Sequence, residues 1–250
     1  MTEFTCSFAG TNVTVRALFP QTEAFCRDYL TDGAAAFTVE ITPEDITYEQ
    51  AVSDKTAAAE GRRAHSFSDS YLETLAVYRK VADGLSAYHT ILFHGSVVAV
   101  DGEAYLFTAP SGTGKSTHAR LWRELFGERA YMVNDDKPLL KISDSGVLAY
   151  GTPWDGKHRL SRNVCVPLKA ICLLERGENN RIEPCTSNEI YPNILGQTYR
   201  PKNAEQMLRV LNLVDQLVQG VSLYKLRCNM HPDAARVSYE AMSGRELEEP

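Results

Sequence analysis

A lysine, a serine and two adjacent aspartates stand in this chain at spacings that suit phosphoryl transfer. Residues Ala109 to Ser116 read A-x-x-x-x-G-K-S. Such a segment can curl a run of backbone N–H groups around phosphate oxygens and end at the positive pole of a helix. Gly112 and Gly114 give the loop its backbone freedom, with Ser111, Thr113 and Thr117 completing the cradle. Lys115 can reach β- and γ-phosphates, and the Ser116 hydroxyl can ligate Mg²⁺. Ala109 stands where a first glycine is usual, and it is small enough to close the turn.

The strand-like run YMVN ends at Asp135-Asp136, 20 residues after Lys115. In phosphoryl transfer one carboxylate holds the metal. A second, free of metal, can take the proton of an attacking hydroxyl. His94-Gly95 closes the apolar run that precedes the loop's hairpin, which could bring an imidazole to the pair and let it share the proton load. A further candidate is GTPWDGKHRLSRN, Gly151 to Asn163. Gly151, Pro153 and Gly156 shape a loop there, Trp154 offers a flat surface for a substrate, and Lys157 or Arg162 can neutralise phosphate or bind an anionic acceptor. The plainer alternative is an exposed basic loop on an acidic protein. GQTYRPK, Gly196 to Lys202, could form a lid through Arg200 and Lys202. The remaining histidines, His65, His89, His118, His158 and His231, take structural or surface roles by default.

These residues need a frame. VVAVDGEAYLFT reads as two strands joined at Asp101-Gly102, a strong hairpin signal, and the second strand runs straight into the loop. The strand at the loop is therefore expected to lie antiparallel to residues Ser96 to Val100, unlike the parallel βαβ setting of most phosphate-loop proteins. KSTHARLWREL reads as the following helix. Beyond it come further strands and hairpins, helices near Glu189 and from Ala204 to Gln219, and a last helix from Pro232 to Met242. The fold class expected is α/β (α+β): a mixed, largely antiparallel sheet with a phosphate loop and flanking helices. Residues 86–250 form the catalytic domain, and residues 1–85 a small N-terminal α+β segment. In that segment TCSFAGTNVTVRAL gives two strands, and Ala51 to Arg63 reads as an exposed loop. Residues Tyr71, Leu75, Tyr78, Ala82 and Leu85 mark the buried face of a helix.

Composition sets the outer bounds. The chain has 250 residues, 44% hydrophobic and 23% charged, with a formal net charge of −6. That balance gives no reason to expect a nucleic-acid or anionic-membrane partner, and no apolar run approaches a membrane span. The six cysteines are scattered without a C-x-x-C pair. With no secretory signal visible at the N-terminus, free thiols and a cytoplasmic setting are expected.

The combination FHGSVVAVDGEAYLFTAPSGTGKST…MVNDDKP resembles the catalytic domain of the HPr kinase/phosphorylase family. Its Ser111-Gly112-Thr113-Gly114-Lys115 core is also similar to the loop of ATP-dependent phosphoenolpyruvate carboxykinases, which share that fold. The resemblance implies a phosphate cradle at Gly112 to Lys115 and metal ligation by Ser116 and Asp136. It also implies a general base at Asp135 assisted by His94. The cofactors implied are ATP and Mg²⁺, and the activity a kinase, reversible by phosphorolysis, acting on a hydroxyl of a small molecule or a peptide or protein serine. Two departures mark a divergent member: Thr117 replaces a usual acidic residue, and GTPWDGKHRLSRN stands where an RGLG-type signature is usual. The chain looks closer to small kinase-like proteins that accompany peptide biosynthesis clusters or phosphorylate small hydroxyl compounds. Two alternatives remain open: a module that binds ATP without transferring phosphate, and a carboxykinase- or hydrolase-like enzyme on the same fold. The acceptor, the donor nucleotide and whether the chain forms a homo-oligomer are also open.

Overall fold

Asp101 and Gly102 both adopt positive φ, 52° and 83°, the pair of values a type I′ turn requires. In the computed structural model, which describes residues 1–59 and 61–247, this turn folds β5 (Ser96–Val100) straight back onto β6 (Glu103–Thr108). The two pair antiparallel from Ser96↔Phe107 to Val100↔Glu103, as the hairpin signal predicts. On its other side β6 pairs parallel with β10 (Cys165–Arg176), so the strand that feeds the loop has one neighbour of each kind.

The chain divides into two units, Met1–Leu85 and Ser86–Pro250. In the second, the strand path runs β4-β8-β9-β10-β6-β5-β7, with β12 joined to β10 and β11 to β12. Here β4 is Thr90–Leu92, β7 Ala130–Asn134, β8 Leu139–Ser143 and β9 Gly146–Tyr150. The last two are β11 (Arg181–Pro184) and β12 (Ser222–Cys228). Most pairings are antiparallel, which the sequence pattern anticipates; the parallel ones in this unit are β10 with β6 and with β12. β10 serves two strands in succession along one flank. Residues Cys165 to Pro167 pair with β9, and Ala170 to Arg176 with β12.

Two short links force this sheet to curl. Residues 93–95 join β4 to β5, and residues 135–138 join β7 to β8. Each link connects strands five places apart in the path, about 24 Å in a flat sheet at the usual strand spacing. A link this short spans at most about 14–18 Å. The two ends of the path must therefore approach each other, and the seam where they meet is lined by His94 and by Asp135, Asp136 and Lys137.

Alternation along the central strands sorts side chains into two cores. Val97, Ala99, Ala104 and Leu106 face Ile190, Ile194, Val210, Leu213 and Leu217, from α5 (Ser187–Gln197) and α6 (Ala204–Gly220). Val98, Val100, Tyr105 and Phe107 face Trp122, Phe126, Tyr239 and Met242, from α4 (Lys115–Phe126) and α7 (Asp233–Ser243). Trp122 is fully buried, and its indole N–H donates to Ser238 Oγ at 2.8 Å. Burial of this cluster holds α4, and hence the loop before it, against the end of β6.

The N-terminal unit has β1 (Thr2–Phe8) antiparallel to β2 (Thr11–Ala17), with β3 (Phe37–Glu40) parallel to β2. Its helices are α1 (Pro20–Phe25), α2 (Pro43–Ala59) and α3 (Asp69–Leu85). Two expectations are corrected here. Most of the stretch expected as an exposed loop from Ala51 belongs to α2, whose alanines favour helix. Glu60 lies outside the described residues. The buried stripe of α3 is also rotated in its first half: Ala82 and Leu85 are inside as expected, joined by Leu72, Ala76, Val77 and Val81, whereas Tyr71 is 47% exposed and Leu75 and Tyr78 are only partly buried. The rotation brings Glu73 inward, where it accepts hydrogen bonds from Leu18 N and Phe19 N and from the Thr22 hydroxyl. Among the described residues no helix is long and apolar enough to cross a membrane.

Candidate active site

The loop between β6 and α4 has the backbone its glycines predict. Gly112 and Gly114 take φ of 78° and 127°, values that side chains disfavour, although the space around both would admit a methyl group. Ala109, by contrast, is wholly buried in the core under α4, which accounts for a side chain where a glycine is usual. Lys115 is 7% exposed, and its ammonium donates to Ala109 O at 2.9 Å. Burial lowers its pKa, against the pull of the nearby Asp136 and Asp135. Arg176, at the end of β10, donates to Gly112 O at 2.6 Å and so ties the loop's turn to the sheet.

The two aspartates have different surroundings. Asp135 is 9% exposed, and its Oδ1 accepts from Ser96 Oγ at 2.6 Å. Burial raises its pKa, while hydrogen bonds from Ser96 and Ser116 pull it back down. Asp136 has a side chain 38% exposed, with His94 Nε2 and Lys137 Nζ each 3.5 Å from its Oδ1. The expected neighbours are thus exchanged: His94 stands at Asp136, and Ser116 acts on Asp135, lowering its pKa. The chain leaves β7 at Asn134 and bends at both aspartates. Asp135 turns to Ser96 at the start of β5, while Asp136 turns to His94, just past β4.

His94 is held from both directions. Its backbone N–H donates to Gln197 O at 2.8 Å, and its Nδ1 lies 2.7 Å from Gln197 Oε1. With that oxygen facing Nδ1, the ring proton sits on Nδ1 and the Nε2 lone pair faces Asp136. Burial first, then Lys137 and Lys115, lower the His94 pKa to about 4, so the imidazole is neutral at pH 7.

Asn134, Thr152 and Asp155 fix the pair in place, and the motif search passes over all three. Asn134 Oδ1 accepts from the N–H groups of Asp136 and Lys137 at 2.8 and 2.6 Å. Its amide donates to Thr152 Oγ1 at 3.0 Å, and that hydroxyl in turn donates to Lys137 O at 2.8 Å. Asp155 accepts from the N–H groups of Asp135, Gly156 and Ser161. Gly151 packs so closely that a Cβ would lie 1.9 Å from Arg162 O. The signal was local: an asparagine abutting the aspartate pair, and an Asp-Gly step inside a glycine-rich loop. Lys137, which follows the pair directly, is the cation that motif spacing leaves out.

The segment Gly151 to Asn163 is thus a brace for the carboxylates; of its three candidate substrate residues, burial corrects Trp154, while Lys157 and Arg162 are exposed. Trp154 is 6% exposed and presents no free face. Arg162 stacks its guanidinium over Tyr131 at 4.9 Å, four residues back along β7 from Asp135, or about 13 Å at the rise of a strand. Lys157 remains exposed.

Among the described residues no group of three His, Cys, Asp or Glu side chains is arranged to hold a metal alone. The donors that are present, the Ser116 hydroxyl and one carboxylate, suit Mg²⁺ shared with substrate phosphates and water.

The family described as SynChlorMet cassette protein ScmC matches residues 65–233, two thirds of the chain. The chain belongs to the ScmC family. That is a different family from the HPr kinases whose motifs it resembles. No curated protein matches. Among solved structures, the Hpr(Ser) kinase/phosphatase from Coxiella burnetii is similar at 10% identity and a TM-score of 0.37. The likeness covers 61% of this chain and 97% of that one. At that score it adds nothing to the architecture described above.

Proposed function

We propose that this ScmC-family chain is an ATP- and Mg²⁺-dependent phosphotransferase that phosphorylates a hydroxyl, on a small molecule or on a peptide or protein serine. One observation carries the reading. Two adjacent carboxylates are held by different partners at the mouth of a phosphate loop, one buried against Ser96 and the other beside a neutral histidine. A protein that only binds nucleotide needs the first carboxylate and has no use for the second.

Gly112 to Ser116 would cradle the β- and γ-phosphates, with Lys115 exchanging its bond to Ala109 O for phosphate oxygens. Ser116 and Asp135 would hold Mg²⁺, which when bound neutralises charge on the transferring group. Asp136 is the more accessible carboxylate, and it would take the proton of the acceptor hydroxyl as that oxygen attacks the γ-phosphorus. His94 Nε2 would share this proton, with Gln197 fixing the ring. Lys137 would face the negative charge that develops there. Asp135's raised pKa would also suit a base. Its burial favours the metal role, because an acceptor must be able to reach the base. Incubation with γ-labelled ATP, Mg²⁺ and a panel of serine, sugars and peptides tests the reading. Phosphate transfer that depends on both Lys115 and Asp136 supports it, and nucleotide binding with no transfer to any acceptor favours the binding module.

A further inference from the structure

A groove of about 650 Å³ lies wholly within the N-terminal unit. One stripe of α2 forms its length, from Pro43 through Ile46 and Gln50 to Asp54, about 16 Å at the rise of a helix. Ile46 and Leu72 are buried beneath it, and Leu18, Phe19 and Phe67 stand half-buried along it.

The wall facing α2 is held in place by the chain itself. Gln50 commits its whole amide to this end of the groove: Nε2 donates to His65 O at 3.0 Å and to Asp54 Oδ1 at 2.8 Å. Its Oε1 accepts from Phe67 N at 3.1 Å. The Phe67 ring then sits between those of His65 and Tyr71, with centroids 4.7 and 5.1 Å away. The apolar surface is therefore preformed, and a ligand that covers it has little ordering to impose.

The groove has two unlike ends. Arg79 of α3 pairs with Asp45 and Glu49 near the start of α2, while Phe67, just before α3, bonds to Gln50. The two helices therefore run antiparallel, and Asp69 at the start of α3 falls toward the same end as Asp54. Pro43 and Ile46 mark the other end. Among the described residues neither Asp54 nor Asp69 has a cation within ion-pair distance, whereas Asp45 and Glu49 are both paired. The imbalance extends to the whole unit. Residues 1–85 hold 13 Asp and Glu against 7 Lys and Arg, so the formal net charge of −6 resides there and residues 86–250 are balanced.

We propose that this groove docks a short basic peptide segment of another protein, with bulky apolar side chains against Phe19, Ile46 and Phe67 and lysine or arginine beside Asp54 and Asp69. A groove that is apolar at one end and acidic at the other needs a ligand carrying both characters in series, which a stretch of chain supplies. About five extended residues match its length. The inference does not depend on the phosphotransfer reading, because no residue of the phosphate loop lines the groove.

Fluorescence anisotropy on the full chain tests it with three labelled peptides: three leucines flanked on each side by two lysines, the same with glutamates for lysines, and the same with serines for leucines. The first should bind at least about tenfold tighter than either of the others, since burial of a single leucine is worth that much. Asp54→Asn combined with Asp69→Asn should weaken it about fivefold. Ala51→Trp places a large ring in the groove from an exposed position of α2, and it should abolish binding with thermal unfolding unchanged. Equal binding of the serine peptide would reduce the effect to attraction by an acidic surface and overturn the proposal. So would wild-type affinity in Ala51→Trp or in the double variant, or no binding of the lysine–leucine peptide at all. A dimer that Ala51→Trp dissociates would also overturn it, and would assign the groove to a second copy of this chain.

Discussion

Both units of the chain bury charge, and they satisfy it in opposite ways. In the N-terminal unit Glu73 is fully buried and meets two backbone N–H groups and one hydroxyl. Nearby, Arg79 bridges Asp45 and Glu49 at 2.9 and 2.6 Å, and Lys80 reaches Asp45 at 2.6 Å. Each of these charges has its counterpart within the unit and stabilises a helix contact. In the C-terminal unit Lys115 bonds to backbone carbonyls, and Asp136 has His94 and Lys137 at 3.5 Å. Those charges are gathered with incomplete pairing, at a cost in desolvation that folding alone does not recover. The first pattern is that of structure, and the second is the one expected of a site that a ligand completes.

The comparison breaks first at Lys115. Lys115→Ala should abolish phosphate transfer while leaving thermal stability unchanged or raised, because the buried ammonium serves the ligand and not the fold. A large loss of stability with activity retained would place Lys115 in the structural class. The aspartates come next. Asp136→Asn should slow transfer by about 10²–10⁴-fold, the span for loss of a general base, with nucleotide affinity near normal. Asp135→Asn should instead weaken Mg²⁺-dependent nucleotide binding. His94→Ala should be non-additive with Asp136→Asn in single-turnover assays, since the two share one proton path. If the proton defect appeared in Asp135→Asn and the metal defect in Asp136→Asn, the roles would revert to those the family resemblance implies.

Smaller effects should follow in the N-terminal unit. Glu73→Ala leaves three donors without their acceptor and should cost that unit about 3 kcal/mol. Amide exchange across residues 2–85 in urea would show it, and protection equal to wild type would contradict the assignment. The last effect is acid sensitivity at Asp45. Burial by itself would raise this carboxyl, but Lys80, the Thr42 amide and Arg79 outweigh it and hold the pKa below the ordinary value. A lowered folded pKa means that the contribution is complete above the unfolded value of about 4 and fades as pH falls through the folded one. Asp45→Asn should flatten the acid limb of the unit's stability curve, measured by urea midpoints between pH 5 and pH 2. An unchanged slope would show that the pairs contribute nothing.

What sequence could show was whatever local chemistry dictates. The Asp101-Gly102 turn, the glycines of the loop and the alternation of β5 and β6 depend on near neighbours, and each is where its pattern puts it. The rotation of α3 was hidden, because Glu73 faces inward only in response to amides 54 and 55 residues away. Trp154 looked like a surface for ligand because an aromatic in a glycine-rich loop carries no mark of its burial. The aspartates were found as a pair, yet their neighbours depend on the seam between two ends of a curled sheet. Spacing along the chain holds no trace of that closure.

The bond from Lys115 to Ala109 O bears on speed as well as affinity. A lysine already folded over its own loop would have little left to search for: its bonds to the Ala109 and Pro110 carbonyls, on the order of 2 kcal/mol for a charged donor, would separate the resting pose from a binding pose. The glycine conformations that shape the cradle are in place beforehand. Phosphate capture should then be governed by encounter, at about 10⁵–10⁷ M⁻¹s⁻¹ or faster, with selectivity expressed in how long the ligand stays.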